Sequence, residues 1–279
     1  MRLGILFFCA LVAACGSTPE HFTHDVLNSY TPVKQQGSSQ LCWAYAMLSA
    51  IETEHIMRGD SVHLSTAFIG HSLKSDPRAP QSARGMAATL VRLLGEYGIV
   101  PFHSMPTADT PAPRRAFMLG AEYTPLEFAH SVCAPDEYRA LTSNPGFPYN
   151  KEVVLDLPDN WTHERYLNLP PDSLLACTER AVRQGHGVCW EGDTGDPGFD
   201  WQAGVARLTL FSKFTRVSDD HCMAIVGMAH DDEGQRYFIM KNSWGTGNAY
   251  GGLLYMSTDY FMRNTVAVVL PAVISPSTR

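Results

Sequence analysis

Apolar side chains return at helical spacing from Cys42 to about Arg58, where Trp43, Ala44, Met47, Leu48 and Ile51 mark the repeat. Gly59-Asp60 closes the run, so a helix is expected there. Residues 62–73 predict a second short helix capped by Ser65. A third spans 85–97, stopped by Gly98 ahead of Pro101, and 106–113, rich in Pro, Thr and Ala, reads as a surface loop. Beyond Pro148 the pattern changes. Residues 152–157 are strand-like, and 171–183 are helical with Asp172 or Ser173 as cap. Short apolar stretches at 187–190, 222–227, 237–241, 253–256 and 266–270 read as strands between turn residues. A helical first half and a strand-rich second half predict an α+β protein of two lobes.

The N-terminus changes the picture. Arg2 precedes an apolar run from Leu3 to Leu11, and Val12-Ala13-Ala14-Cys15 follows, the form of a secretory signal ending in small residues. A cysteine directly after a small pair resembles a bacterial lipobox. That resemblance implies a mature chain attached to a membrane through lipid on Cys15, in the bacterial periplasm or at the cell surface. The apolar run, about 12 residues, is too short to span a bilayer. Residues 1–15 are thus read as leader and 16–29 as tether. A domain over 30–273 follows, with a helical lobe at about 38–150 and a β-rich lobe at about 151–273 joined by 30–37. Residues 274–279 form a tail.

The 279 residues suffice for one large domain or two fused lobes. A net charge of -7, without any basic run, excludes nucleic acid as the expected partner. Of seven cysteines, Cys9 and Cys15 belong to the leader, leaving Cys42, Cys133, Cys177, Cys189 and Cys222. That odd number suits one reactive thiol and up to two bridges of open pairing. Buried free thiols serve equally well for Cys133 and Cys177. No C-x-x-C suggests zinc, and the Asp193, Asp196, Asp200 spacing misses a calcium loop, so no metal or cofactor is expected. His55, His63 and His71, eight residues apart, read as solvated.

The candidate chemistry lies in an ordered set. Cys42 stands at a predicted helix N-terminus, where the helix dipole favours a thiolate. His221, at the head of an apolar strand, could form an imidazolium partner. Asn242 can accept from the other ring N–H and orient it, with Trp244 screening that bond. Gln36 can offer its amide, with the Cys42 backbone N–H, to a developing oxyanion. Taken singly, Cys42 reads as a core thiol, His221 as a core histidine and Asn242-Ser243-Trp244-Gly245 as a turn. Their order along the chain points instead to nucleophile, base, orienting group and oxyanion donor.

Gln36-Gly37-Ser38-Ser39-Gln40-Leu41-Cys42-Trp43-Ala44-Tyr45 resembles the nucleophile motif of papain-like cysteine peptidases. Asp220-His221 and Lys241-Asn242-Ser243-Trp244-Gly245-Thr246-Gly247 resemble the same family's histidine and asparagine motifs. The resemblance implies a helical left lobe carrying Cys42, a barrel-like right lobe carrying His221 and Asn242, and a peptide or protein substrate in the cleft between. Two departures narrow it. Ser39 stands where the papain motif has a cysteine, and His221 and Asn242 lie 179 and 200 residues beyond Cys42, against about 130–150 in papain itself. Leu157-Pro158-Asp159-Asn160-Trp161, Tyr166-Leu167-Asn168-Leu169-Pro170 and Asp219-Asp220-His221 are similar to exported relatives of the bleomycin hydrolase/aminopeptidase C branch. In that branch a C-terminal tail enters the cleft, which implies aminopeptidase action. Endopeptidase action, a catalytically silent peptide-binding cleft and acyl transfer are the alternatives.

Overall fold

The computed structural model of the chain describes residues 19–118, 120–212 and 218–276. The leader with Cys15 and residues 277–279 of the tail lie outside the described residues. The chain enters through strand β1 (Thr23–Leu27) and an extended segment before the central helix α1 (Cys42–Met57). Helices α2 (Thr66–Ser75) and α3 (Ala87–Tyr97) follow, then the antiparallel pair β2 (Ala116–Met118) and β3 (Ala121–Tyr123) and helix α4 (Pro125–Val132). Strands β4 (Tyr138–Thr142), β5 (Lys151–Val154) and β6 (Arg165–Asn168) lead to α5 (Pro171–Arg183). Next come β7 (Val188–Gly192), β8 (Phe199–Asp200), β9 (Val205–Ala206) and β10 (His221–His230). The chain then forms β11 (Arg236–Lys241), β12 (Leu253–Ser257), α6 (Thr258–Asn264) and β13 (Thr265–Pro271).

Helix α1 is apolar on nearly every side and is buried accordingly, between α2 and α3 on one flank and β7 and β10 on the other. Gly187 lets the sheet approach it, because a Cβ there would lie 2.3 Å from the Ala50 carbonyl oxygen. Ser65 caps α2 as expected, accepting from the Phe68 N–H. Gly98 ends α3 at φ +82, with the Pro125 backbone filling the space a side chain would need.

One sheet runs in the order β5-β6-β4-β13-β7-β10-β11-β12-β9-β8, with β1 added against β10. Strand β10 is buried on both faces. Met223, Ile225 and Met228 join Trp190, Phe238 and Met240 on one side, and Ala224, Val226 and Ala229 join Tyr237 and Ile239 on the other. A strand covered on both faces needs no polar alternation, which is why 222–227 reads as an unbroken apolar run. A separate core of α1–α4 side chains fills the helical side. The α+β architecture expected from the sequence is thus present, with α1–α4 packed on one face of a long sheet and α5 and α6 on the other.

Several local expectations change. The segment read as tether contains β1, whose Thr23 pairs with His230 and Leu27 with Gly227. Its exposed, polar side chains hid it. The helical half also contributes β4 to the main sheet, between β6 and β13. Helix α5 starts behind Pro170 without a side-chain cap, not at Asp172 or Ser173. The strand expected at 152–157 stops at Val154. The two bridges do not form among the described residues: Cys133, Cys177, Cys189 and Cys222 are buried free thiols. Cys133 and Cys177 lie in different cores, and Cys189 faces Ala224 in the ladder rather than Cys222. His55, read as solvated, is buried; its ring nitrogens contact Asp60 and the Val132 carbonyl.

Candidate active site

Cys42 is the first residue of α1, and Leu41 before it offers no side-chain cap. The helix start therefore keeps unpaired N–H groups and the positive end of its dipole at the sulfur. Trp43 is fully buried behind it and donates from its indole to the Ala83 carbonyl at 3.1 Å.

His221 begins β10, and Asn242 follows the last residue of the antiparallel neighbour β11. The register Ala224↔Lys241 puts both at the same end of the ladder. His221 Nε2 and Asn242 Oδ1 are 2.8 Å apart. An amide oxygen only accepts, so Nε2 carries the proton and Nδ1 is left to face the thiol. The same Oδ1 accepts from the Ser243 N–H at 2.7 Å. Trp244 lies over His221 with ring centres 4.4 Å apart and is framed edge-on by Phe199 and Trp201. His221 and Asn242 are 4% and 2% exposed, so their bond is shielded from water.

The Cys42 thiol is held down at about 4. The largest cause is a hydrogen bond from the Cys222 thiol; burial opposes it, and the hydrogen bond and charge of His221 add to the lowering. Cys222 itself is pushed well above the usual thiol range, by burial first and then by Cys42, so it stays protonated and able to donate. Opposite Cys222 in the ladder stands Glu191, fully buried and raised well above the usual carboxyl range by desolvation. Its Oε1 accepts from the Ala87 N–H at the start of α3.

Gln36 ties the approach to Cys42 onto the Asn242-Ser243 turn. Its backbone N–H donates to the Ser243 carbonyl at 2.8 Å, its Oε1 accepts from Ser243 Oγ at 2.5 Å, and its Nε2 donates to the Ser39 carbonyl at 2.9 Å. Beneath lies a buried ionic network. Glu52 on α1 pairs with Lys34 at 3.0 Å and accepts from Thr31, while Lys241 donates to Thr31 at 2.8 Å and Ser49 at 2.9 Å. Burial lowers Lys241 to about 8. These bonds fasten the 31–36 segment and the end of β11 onto α1, fixing the distance between the sulfur and the histidine strand.

All four residues singled out from the sequence thus gather where the helix start meets the end of β10 and β11. Sequence reasoning missed Cys222, Glu191, Arg84 and the function of Asp159 and Asp219. A thiol or carboxyl within an apolar strand carries no chemical signal until its neighbours across the ladder are known. The tail departs in the other direction: β13 leaves Thr265, level with Gly192 and so with His221, and runs to Pro271 opposite Tyr138. That is roughly 20 Å along the strand. There the Ile274 and Pro276 carbonyls accept from Arg180 and Arg139.

A thiol at a helix start thus shares a recess with the head of a histidine strand whose far ring nitrogen is tied to Asn242. Residues 114–276 match the model of the Peptidase C1-like family, and the chain belongs to that family. Among curated proteins it is 26% identical over 179 residues to Aminopeptidase E of Lactobacillus helveticus, covering 56% of this chain and 41% of that protein. It is 27% identical over 169 residues to Aminopeptidase W of Lactobacillus delbrueckii subsp. lactis (53% and 38% covered). Cysteine endopeptidase Rep1 of Oryza sativa subsp. japonica is 26% identical over 230 residues (82% and 50% covered). The chain thus spans half or less of the length of each of these relatives. The solved structure of pepw from Lactobacillus rhamnosis aligns over 91% of this chain and 83% of that one, with TM-score 0.68 and 17% identity. The bromelain protease of Ananas comosus in complex with the E64 inhibitor aligns at TM-score 0.52 and 17% identity, over 87% and 93%. Both establish a papain-like fold.

Proposed function

We propose that the protein is a cysteine peptidase that removes residues from the free amino ends of peptides through a Cys42–His221–Asn242 triad. Cys42 attacks the scissile carbonyl as thiolate, and the C–N bond breaks as His221 gives its proton to the departing amine. Water then attacks the thioester, losing a proton to His221, and Cys42 leaves as thiolate. Asn242 holds the imidazole, and Gln36 with the Cys42 N–H stabilises the oxyanion. The observation that carries this reading is the thiol held at about 4 beside a histidine whose far nitrogen is fixed by Asn242.

Two of the named relatives are aminopeptidases, which supports action at free amino ends; Rep1 supports the endopeptidase alternative. Cys42→Ala should lower turnover of an aminoacyl coumarylamide about 10⁴-fold or more. Retained turnover eliminates the triad, and equal cleavage of free and amino-blocked peptides favours the endopeptidase. The same reading makes this an exported bacterial envelope protein held by lipid on Cys15, resting on the leader sequence. Mass spectrometry of the membrane-extracted protein checks it: an unmodified Cys15 removes the anchor.

A further inference from the structure

The recess beside Cys42 is small and walled. About 190 Å³ of space, open to solvent, lies between Cys42, Arg84, Gly85, Asp159, Asp219 and His221. A second, larger hollow of about 1060 Å³ continues beyond it, lined by Ser82, Leu157, Pro158 and Ser218. Arg84, Asp159 and Asp219 border both. The boundary is a linked set of polar groups. The Arg84 guanidinium donates to Asp159 Oδ2 at 2.7 Å and to the Asp219 backbone carbonyl at 2.7 Å, joining three separate segments of chain. The loop that carries Arg84 is itself pinned by two indoles. Trp43 donates to the Ala83 carbonyl and Trp161 to the Arg84 carbonyl, and a Cβ on Gly85 would lie 3.0 Å from the Trp43 ring. Arg84 is therefore a strut and not a free cation.

The carboxylates around this strut differ in what they bond. Asp159 takes the guanidinium, and Asp220 accepts from the Thr194 N–H, Thr194 Oγ1 and Ser218 Oγ. The Asp219 carboxylate has no hydrogen-bond or ion-pair partner among the described residues, and Asp219 lines the recess together with Cys42. A peptide held for attack at its first carbonyl carries its α-ammonium two bonds from that carbon. Any group that reads the ammonium must share the recess with the thiol.

We propose that Asp219 is the specificity-determining residue that pairs with the α-ammonium of the substrate's first residue, while the Arg84–Asp159 strut closes the cleft just beyond it. This deepens the peptidase reading above and rests on it for the substrate's placement. The site takes a free amino end, not the interior of a chain, because a longer segment meets the strut and a blocked amine leaves Asp219 unpaired. The described tail, through Pro276, is held at the far end of β13 and offers no carboxylate here.

The electrostatics agree with a subsite that takes a cation. Asp219 is raised to about 7, by desolvation first and then by Asp159 and Cys42, with Arg84 opposing and Asp220 adding to the rise. Glu191 and Tyr166, packed behind, are themselves raised in part by Asp219. An incoming ammonium supplies the charge that favours the ionised form. Binding of free amines should strengthen as pH rises through about 7 and weaken again as the α-amine loses its own proton above about 8.

Protection of Cys42 against iodoacetamide measures this without turnover. With the full chain, alanyl-alanine amide should protect Cys42 at about tenfold to a hundredfold lower concentration than its N-acetyl form. Asp219→Asn should abolish that difference and its pH dependence while Cys42 still alkylates rapidly, and Asp219→Glu should restore part of it. Arg84→Ala should admit N-acetylated dipeptide amides that the parent protein excludes. A free-amine preference that survives in Asp219→Asn overturns the assignment. Protection without any amide hydrolysis by the parent protein leaves the subsite standing and overturns the peptidase reading instead.

Discussion

Two thiols in this protein are chemically identical and electrostatically opposite. Cys42 sits at the exposed-dipole start of α1 and is held at about 4, with Cys222 and His221 donating to it. Cys133 closes α4 at its C-terminal end, packs into the helical core, and is pushed up to about 12 by burial and then by Glu137. Burial pushes both thiols up, so burial alone does not decide the outcome. What separates them is which helix end they occupy and whether a donor is built beside them.

The largest expected effect concerns what surrounds Cys42 beyond its own charge. Gln36→Ala should reduce turnover of an aminoacyl amide about 10²–10³-fold by removing an oxyanion donor. It should leave Cys42 alkylation fast, since Cys222 and His221 hold the thiol down. Equal loss of both would mean that Gln36 acts by holding the helix start in place.

A smaller effect should appear in the direct contrast of the two thiols. At pH 7 Cys42 is almost wholly thiolate and Cys133 almost wholly thiol. Lower basicity also makes a thiolate a poorer nucleophile, which takes back much of that advantage, leaving about tenfold to a hundredfold in alkylation rate. The Cys42 rate should stay flat down to about pH 4 and fall below it as the thiolate is protonated. A fall already near pH 8 would show that the donors do not reach the sulfur.

The smallest effect tests the Cys133 side. Thr124 and Glu127 form a capping box that starts α4. Thr124→Ala should destabilise that helix by about 1 kcal/mol, seen as a lower denaturation midpoint and faster labelling of Cys133. Labelling of Cys42 should change less, because the start of α1 is also held by the Lys34–Glu52 pair and by the sheet strands packed against it.

How much of this could be read beforehand depended on how local each signal was. The spans of α1, α3 and α5 were legible within two residues, since an apolar stripe and a terminal Gly or Pro are properties of adjacent positions. Gln36, Cys42, His221 and Asn242 could be singled out because each stands in a short stretch that resembles a known motif, and the fold brings them together. Strand β1 was not, because its side chains are mostly exposed and only its backbone is committed, to β10. Helix α6 is seven residues, too short to show a repeat. Arg84 and Glu191 were invisible for another reason: each acts through a partner more than 70 residues away.

The sequence by itself determined the helix that presents Cys42, the unbroken apolar strand behind His221, and the residue types needed for nucleophile, base and orienting amide. Only the tertiary structure decided that Cys222 faces the Cys42 sulfur, that the five described cysteines form no bridge, and that Asp219 lines the recess beside Cys42. The reason is physical. Periodicity and capping act between residues a few positions apart, whereas hydrogen bonding, desolvation and charge pairing depend on distance through space, which folding alone sets.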